Sequence, residues 1–162
     1  MKRQANAATI ALIKESERCR LTSYLCPAGK WTVGWGSTRL VGPSMRITQA
    51  QAEERFADDL AEAVRGLELV VPKWLNDNQF GALVDFVFNF GISALVGSRL
   101  LRLLRDDKLD QERRAELAAA QLPRWIHALD PETKKFVVLP GLVTRRAAAR
   151  KLFETPVDVG TV

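Results

Sequence analysis

The run Phe80-Gly81-Ala82-Leu83-Val84-Asp85-Phe86-Val87-Phe88-Asn89-Phe90 is apolar almost all the way round a helix. A helix of that kind has no face to give to water, so other elements must wrap it. Asn76 with Gln79 marks its start and Gly91 its end. It is therefore expected at the centre of a helical lobe. A second long helix precedes it. Thr48 and Gln51 form a capping-box pattern, and Ala52, Phe56, Leu60, Val64 and Leu67 make a stripe at i+3 and i+4 spacing before Pro72 stops it. Its opposite face carries Glu53, Glu54, Asp58, Asp59 and Glu62, read as a solvated acidic face rather than a metal site. A helix of about 20 residues spans about 30 Å, enough to bridge two lobes.

The rest of the chain fits around these two helices. Residues 6–18 read as a first helix. Residues 20–47 are the only β-like region, with Leu21, Tyr24, Val33, Trp35 and Ile47 among Gly, Pro and Ser turn signals. Shorter helices are expected near 93–97, 98–106 and 110–121. Pro123, Pro131 and Pro140 punctuate the next stretch, and a last helix covers 141–154. The fold class is α+β, mostly helical: a small N-terminal lobe with a short antiparallel sheet, a long connecting helix and a larger C-terminal helical lobe. One domain, 1–162, divides into a β-containing lobe at 14–47, a connecting helix at 48–71, a helical lobe at 72–155 and a tail at 156–162.

Composition bounds the function. With 162 residues and 47% apolar content, the chain can bury a core without disulfides. The net charge of +5 favours an anionic partner such as a membrane surface, nucleic acid or a bacterial cell wall, or serves solubility alone. Apolar runs are too short to span a membrane, so no stable membrane anchor is expected. Lys2 and Arg3 followed by Ala7 to Ile13 faintly resemble a signal peptide. That run is short and passes straight into Lys14 and Glu15, so it is read as the first helix. The chain is then made in the cytoplasm and needs another route to act outside. A nucleic-acid partner is not expected, because no concentrated Lys/Arg stripe carries interleaved aromatics. There is no nucleophilic triad and no metal constellation, and the one histidine, His127, reads as a packing or surface residue. No cofactor is expected.

The chemistry concentrates between Glu17 and Gly36. Ile10 and Ile13 begin an apolar helical stripe, and Glu17 falls one step further on the same face. Cys26 follows nine residues later and Thr32 six beyond that, ahead of the extended run Trp31-Thr32-Val33-Gly34-Trp35-Gly36. A glycoside hydrolase needs a proton donor for the leaving oxygen and a group that handles water on the far side of the sugar. A carboxylic acid ending a buried stripe is partly desolvated, which favours its protonated form. On spacing alone, an ordinary surface Glu and a small buried Cys explain the same residues.

The residues also resemble a known family, the phage T4-type lysozymes of glycoside hydrolase family 24. Ile13-Lys14, Glu17, Leu21, Ser23-Tyr24, Cys26, Gly29, Thr32-Val33-Gly34-Trp35-Gly36 and Thr38 stand in register with its N-terminal motif. Asn78-Gln79-Phe80 through Asn89-Phe90-Gly91, Ser98 to Leu104, Arg124-Trp125 and Leu139-Pro140-Gly141-Leu142-Val143-Thr144-Arg145-Arg146 match further elements, so the resemblance covers roughly residues 8–154. It implies a lysozyme-like fold. The implied reaction is hydrolysis of the β-1,4 bond between N-acetylmuramic acid and N-acetylglucosamine in peptidoglycan, by a monomeric phage endolysin that lyses the host. It also implies Glu17 as general acid, Cys26 in a position usually held by Asp, Thr32 as a holder of the attacking water, Gly36 in support, and Arg145 as partner of the acid. Arg145 and Arg146 read equally as phosphate or solvent contacts on a basic terminal helix.

Three departures from the family pattern stand out: Cys26 for Asp, Arg18 where glycine usually follows the acid, and Ser37 where some members have His. In some membrane-tethered members a catalytic Cys is masked by a disulfide to a Cys two residues after the acid, and Cys19 occupies that place. A Cys19–Cys26 lock and two free thiols are both open readings. Rival functions are a lytic transglycosylase on the same polymer and a non-catalytic wall-binding or virion structural module on the same fold.

Overall fold

The structure is a computed structural model that describes residues 3–26, 28–130 and 132–157. Pro27, Pro131 and the last five residues of the expected tail lie outside the described residues, as do Met1 and Lys2. In chain order the elements are α1 (Ala7–Glu17), β1 (Arg20–Leu25), β2 (Trp31–Gly34), α2 (Gln49–Glu68), α3 (Asp77–Phe90), α4 (Ile92–Val96), α5 (Arg99–Leu104) and α6 (Gln111–Ala119). A 3₁₀ turn follows (Leu122–Arg124), then β3 (His127–Leu129), β4 (Phe136–Val138) and α7 (Pro140–Glu154).

The expected capping box at Thr48 is present, and the start marked by Asn76 and Gln79 is a second one. The Gln51 backbone N–H donates to the Thr48 hydroxyl at 3.2 Å, and the Thr48 N–H donates to Oε1 of Gln51 at 2.8 Å. Asn76 and Gln79 make the same reciprocal pair at the start of α3, at 2.8 and 3.0 Å. Each box satisfies backbone donors that a helix start leaves free.

Helix α3 is the hub. Residues 80–87 are all buried, and α1, α2, α4 and α7 all pack against it. Fully burying a side chain the size of Phe80, Leu83 or Phe86 contributes about 1.5–3 kcal/mol, so this one helix carries a large share of the apolar burial. Its approach to α1 is close because position 81 has no side chain. A Cβ built on Gly81 would run into the hydroxyl of fully buried Thr9, which itself donates to Oδ1 of Asn6 at 2.8 Å.

The described residues form two buried cores, and α2 serves both. Phe56, Ala63, Val64 and Leu67 join the large core around α3, whereas Ala52 packs with Val33 and Ile47 in a small core under the sheet. Trp35 borders both cores, its indole N–H donating to Glu53 at 3.0 Å. Strands β1 and β2 pair antiparallel, Tyr24 opposite Thr32, with a bulge between Arg20 and Tyr24. The segment around Met45 and Ile47 adds backbone bonds along the other edge of β1.

One expectation fails. Residues 20–47 are not the only β region, because β3 and β4 form a second antiparallel hairpin with His127 opposite Val138. Strands of three residues are too short to show a period, and the surrounding prolines read as loop. Asp130 shapes its turn by accepting from the backbone N–H groups of Glu132 and Thr133 at 2.9 and 2.7 Å. His127 is exposed on this hairpin.

Gly81→Ala is expected to destabilise the protein by about 1–3 kcal/mol through overpacking against Thr9, seen as a lower urea midpoint. Thr9→Ala removes the obstructing hydroxyl, so the double variant should recover part of that loss. Strictly additive single effects would mean the two positions do not collide.

Candidate active site

Glu17 is the last residue of α1, and its side chain is 19% exposed. The chain leaves the helix through Arg18, whose φ of 54° lies in the left-handed region and whose N–H bonds the Lys14 carbonyl at 3.1 Å. That conformation favours glycine, which explains why the resemblance expects a glycine there.

Arg145, on the second turn of α7, donates from Nη1 to Oε1 of Glu17 at 2.5 Å and from Nε to Oδ1 of Asp85 at 2.8 Å. Asp85 on α3 is fully buried, and its other oxygen accepts from Nη2 of Arg146 at 2.6 Å. Both arginines are buried, so the reading of Arg145 and Arg146 as phosphate or solvent contacts is wrong. The guanidinium of Arg146 lies 5.2 Å from the Phe90 ring centroid and 5.7 Å from that of Phe86. Burial pulls Arg146 down to about 10, against the attraction of Asp85, with Arg145 lowering it further; it stays charged at neutral pH. Arg145 is pushed up: burial opposes its charge, but the Asp85 and Glu17 carboxylates outweigh that.

Gly36 provides the room on the other side of the acid. Its φ is 94°, and a Cβ there would sit 2.8 Å from Oε2 of Glu17. Gly36 also lines a groove of about 690 Å³, together with Thr38, Asp59, Glu62, Phe88 and Ile92. The acidic face of α2 is therefore not uniformly solvated. Glu53 is occupied by Lys14, Trp35 and Gln49, and Asp59 and Glu62 border the groove.

Cys26 and Thr32 come together at the turn end of the β1–β2 hairpin. The turn closes on itself, with the Cys26 N–H donating to the Lys30 carbonyl at 2.9 Å and the Gly29 N–H to the Cys26 carbonyl at 2.8 Å. Thr32 is buried, and its single hydroxyl proton serves either the Lys30 carbonyl, 3.1 Å away, or the Cys26 sulfur. Burial alone would raise the Cys26 thiol. Backbone N–H groups of Lys30 and Ala28, the Thr32 hydroxyl and the Lys30 ammonium outweigh it and hold the thiol below its ordinary value. Tyr24 connects the two halves of the site: burial raises its phenol, the Glu17 carboxylate raises it further, and Cys26 adds to this against the pull of Arg20.

Cys19 does not join this cluster. Both cysteines are free thiols; the Cys19 sulfur lies 3.8 Å from Oε1 of Gln49, and burial raises its pKa. Of the residues singled out in the sequence, the structure brings Glu17, Gly36 and Arg145 together and sets Cys26 beside Thr32; Asp85, which sequence reasoning did not single out, joins Arg145 and Arg146. The missed signal was one charge inside an otherwise apolar helix, in a chain that also carries two adjacent buried arginines.

The phage lysozyme family model matches residues 14–149. The chain is 36% identical over 146 residues to an endolysin of Acyrthosiphon pisum secondary endosymbiont phage 1, covering 90% of this chain and 94% of that protein. In structure it is similar to the muramidase domain of SpmX from Asticaccaulis excentricus, with a TM-score of 0.80 and 34% identity over 95% of this chain and all of that one. It is also similar to an endolysin from Escherichia coli O157:H7 phage FAHEc1, with a TM-score of 0.82 and 25% identity over 95% of each chain. No described helix is long and apolar enough to cross a membrane. The family model spans both lobes, from before Glu17 at the end of α1 to beyond Arg145 on α7, and on this ground the chain belongs to the phage lysozyme family, the hydrolases that act on peptidoglycan.

Proposed function

We propose that the protein is an endolysin that hydrolyses the β-1,4 bond between N-acetylmuramic acid and N-acetylglucosamine and so lyses the host cell, reaching the wall after synthesis in the cytoplasm. The observation that carries this reading is the seat of Glu17: a carboxylate held by Arg145 on one side and backed on the other by Gly36, which itself lines an open groove. In this mechanism Glu17 gives its proton to the glycosidic oxygen as the bond breaks. Arg145 then neutralises the carboxylate left behind. Cys26 and Thr32 hold and activate the water that attacks the anomeric carbon, which fits a group that handles water rather than one that bonds to the sugar. A groove lined by Asp59, Thr38 and Phe88 offers hydrogen-bond partners and one aromatic face to a glycan strand.

Turbidity loss of purified peptidoglycan tests the assignment. Glu17→Gln keeps the shape of the side chain and removes its acidity, so clearing should fall by about 10²–10⁴-fold. New reducing ends without anhydro-sugar termini would separate hydrolysis from transglycosylation. Equal clearing by both proteins would take Glu17 out of the mechanism. Wild-type protein that binds the wall and never clears it, even after reduction, would be the non-catalytic module.

Cys26 has its own signature. A thiolate population grows as pH rises through the lowered thiol value, whereas a carboxylate at the same place is already ionised near pH 5. Cys26→Asp should therefore raise the ratio of activity at pH 5 to activity at pH 8. An unchanged ratio would restrict Cys26 to positioning water without taking its proton.

At Gly36 the expected effect is steric. Gly36→Ala puts a methyl group against Oε2 of Glu17 in a backbone conformation that costs an L-residue about 1–2 kcal/mol. Activity should drop by about 10²-fold from misplacement of the acid, with a much smaller change in melting temperature than in rate.

A further inference from the structure

We infer that Asp85 is a positioning residue which, with Arg146 as its counterweight, sets how firmly Glu17 holds its proton. This rests on the reading of Glu17 as the acid. The geometry supplies the reason. Arg145 is the one cation bonded to Glu17 among the described residues, and it is shared: Nη1 serves Glu17 and Nε serves Asp85. With Glu17 ionised, two carboxylates and two guanidiniums form a closed group of zero net charge, in which Asp85 and Arg146 are fully buried and Arg145 is 5% exposed.

Without Asp85, Arg145 would set its full positive charge against Glu17 alone. Asp85 takes up part of that charge. Arg146 limits the compensation from the far side: its ion-pair partner is Asp85, and its Nε and Nη1 atoms are buried with no hydrogen-bond partner. In a dry site such charges act on one another with little screening.

The other charged and titratable groups around Glu17 are set apart from this pair. On α1, Lys14 is paired with Glu53 of α2 and Arg18 is exposed at the helix exit. From β1, Tyr24 has the Arg20 guanidinium 4.3 Å from its ring centroid and is near enough for Glu17 and Cys26 to raise its phenol. From the turn after β2, Gly36 presents only backbone. None of these touches position 85 or 146, so variants there change one charge at a time.

The sign follows from the charge removed. Asp85→Asn deletes a negative charge and leaves Arg145 fully on Glu17, so Glu17 should lose its proton at lower pH. Arg146→Met deletes a positive charge, so Glu17 should keep its proton to higher pH. The double variant restores neutrality and should return near wild type. Each single shift should be about one pH unit, a tenfold change in proton affinity, as expected for a charge one guanidinium away at an effective dielectric near 20.

The direct readout is the ¹³C shift of the Glu17 carboxyl against pH in labelled protein, assigned with Glu17→Gln, alongside pH–rate profiles on a soluble, uncross-linked peptidoglycan fragment at fixed salt. Opposite movement of the two single-variant midpoints, with cancellation in the double, is the result expected. A purely structural role for Asp85 would lower stability in the single variants without moving the midpoints in opposite directions, and that result would overturn the inference. Should Asp85→Asn not fold, Arg146→Met and the double variant still carry the test, upward and unshifted respectively. Midpoints that move while the pH–rate profile stays fixed would support the charge coupling and remove Glu17 as the acid.

Discussion

Arg145 sits between two carboxylates that come from different parts of the chain, Glu17 from the end of α1 and Asp85 from the middle of α3. Burying a guanidinium is expensive unless good geometry and opposite charge offset the loss of water. Here three helices meet at that offset, because Arg145 and Arg146 ride on α7 and point at the same Asp85. The pairing does more than hold the helices together. It fixes the rotamer of the acid, and Gly36 then needs to be a glycine because the carboxylate is held against it. Phe86, Phe90 and Trp125 cluster with ring centroids 4.8–5.3 Å apart beside Arg146, which keeps water from that end of the network.

The two sides of the site belong to different cores. Ile13, one turn before Glu17, is buried in the large core with α3. Val33, next to Thr32, is buried in the small core with Ile47 and Ala52. Glu17 and the Cys26–Thr32 pair are therefore positioned by separate packing units, which share α2 and the Trp35 contact. Substitutions that loosen either core should reach the reaction through the distance between Glu17 and Cys26, even where neither residue is touched.

Most of the helical framework was legible because it rests on local rules. Periodicity gave α2 and an all-round apolar run gave α3, with the capping-box pattern at Thr48 and the Asn76–Gln79 pair marking their starts. The β3–β4 hairpin was not legible, since three residues per strand leave no alternation to read. The site was only partly legible. Glu17 breaks an apolar stripe, which is a local signal, but nothing in the spacing says that Arg145 lies against it 128 positions away; that placement came through the family resemblance. Asp85 was passed over because its neighbours are all apolar, and a helix read as a core element hides a single functional charge. In physical terms the charge was the more informative residue: an aspartate at full burial requires a cation, and the adjacent pair Arg145-Arg146 was the place to look.

Cys26 brings the same question of charge to the other side of the site, with a different solution. A carboxylate at that position is ionised at neutral pH without help, but a thiol is not. Burial makes the thiolate harder to form, and the surroundings of Cys26 reverse that with dipoles: two backbone N–H groups of its own turn, one hydroxyl, and a lysine at the turn's end. Glu17, by contrast, is surrounded by full charges that cancel in pairs. Backbone dipoles in a closed turn vary little with side-chain substitution, whereas a balanced quartet of charges changes with any one of them. The pH at which this enzyme works should thus be easier to retune from the buried face of α3 and α7 than from the turn that carries the sulfur.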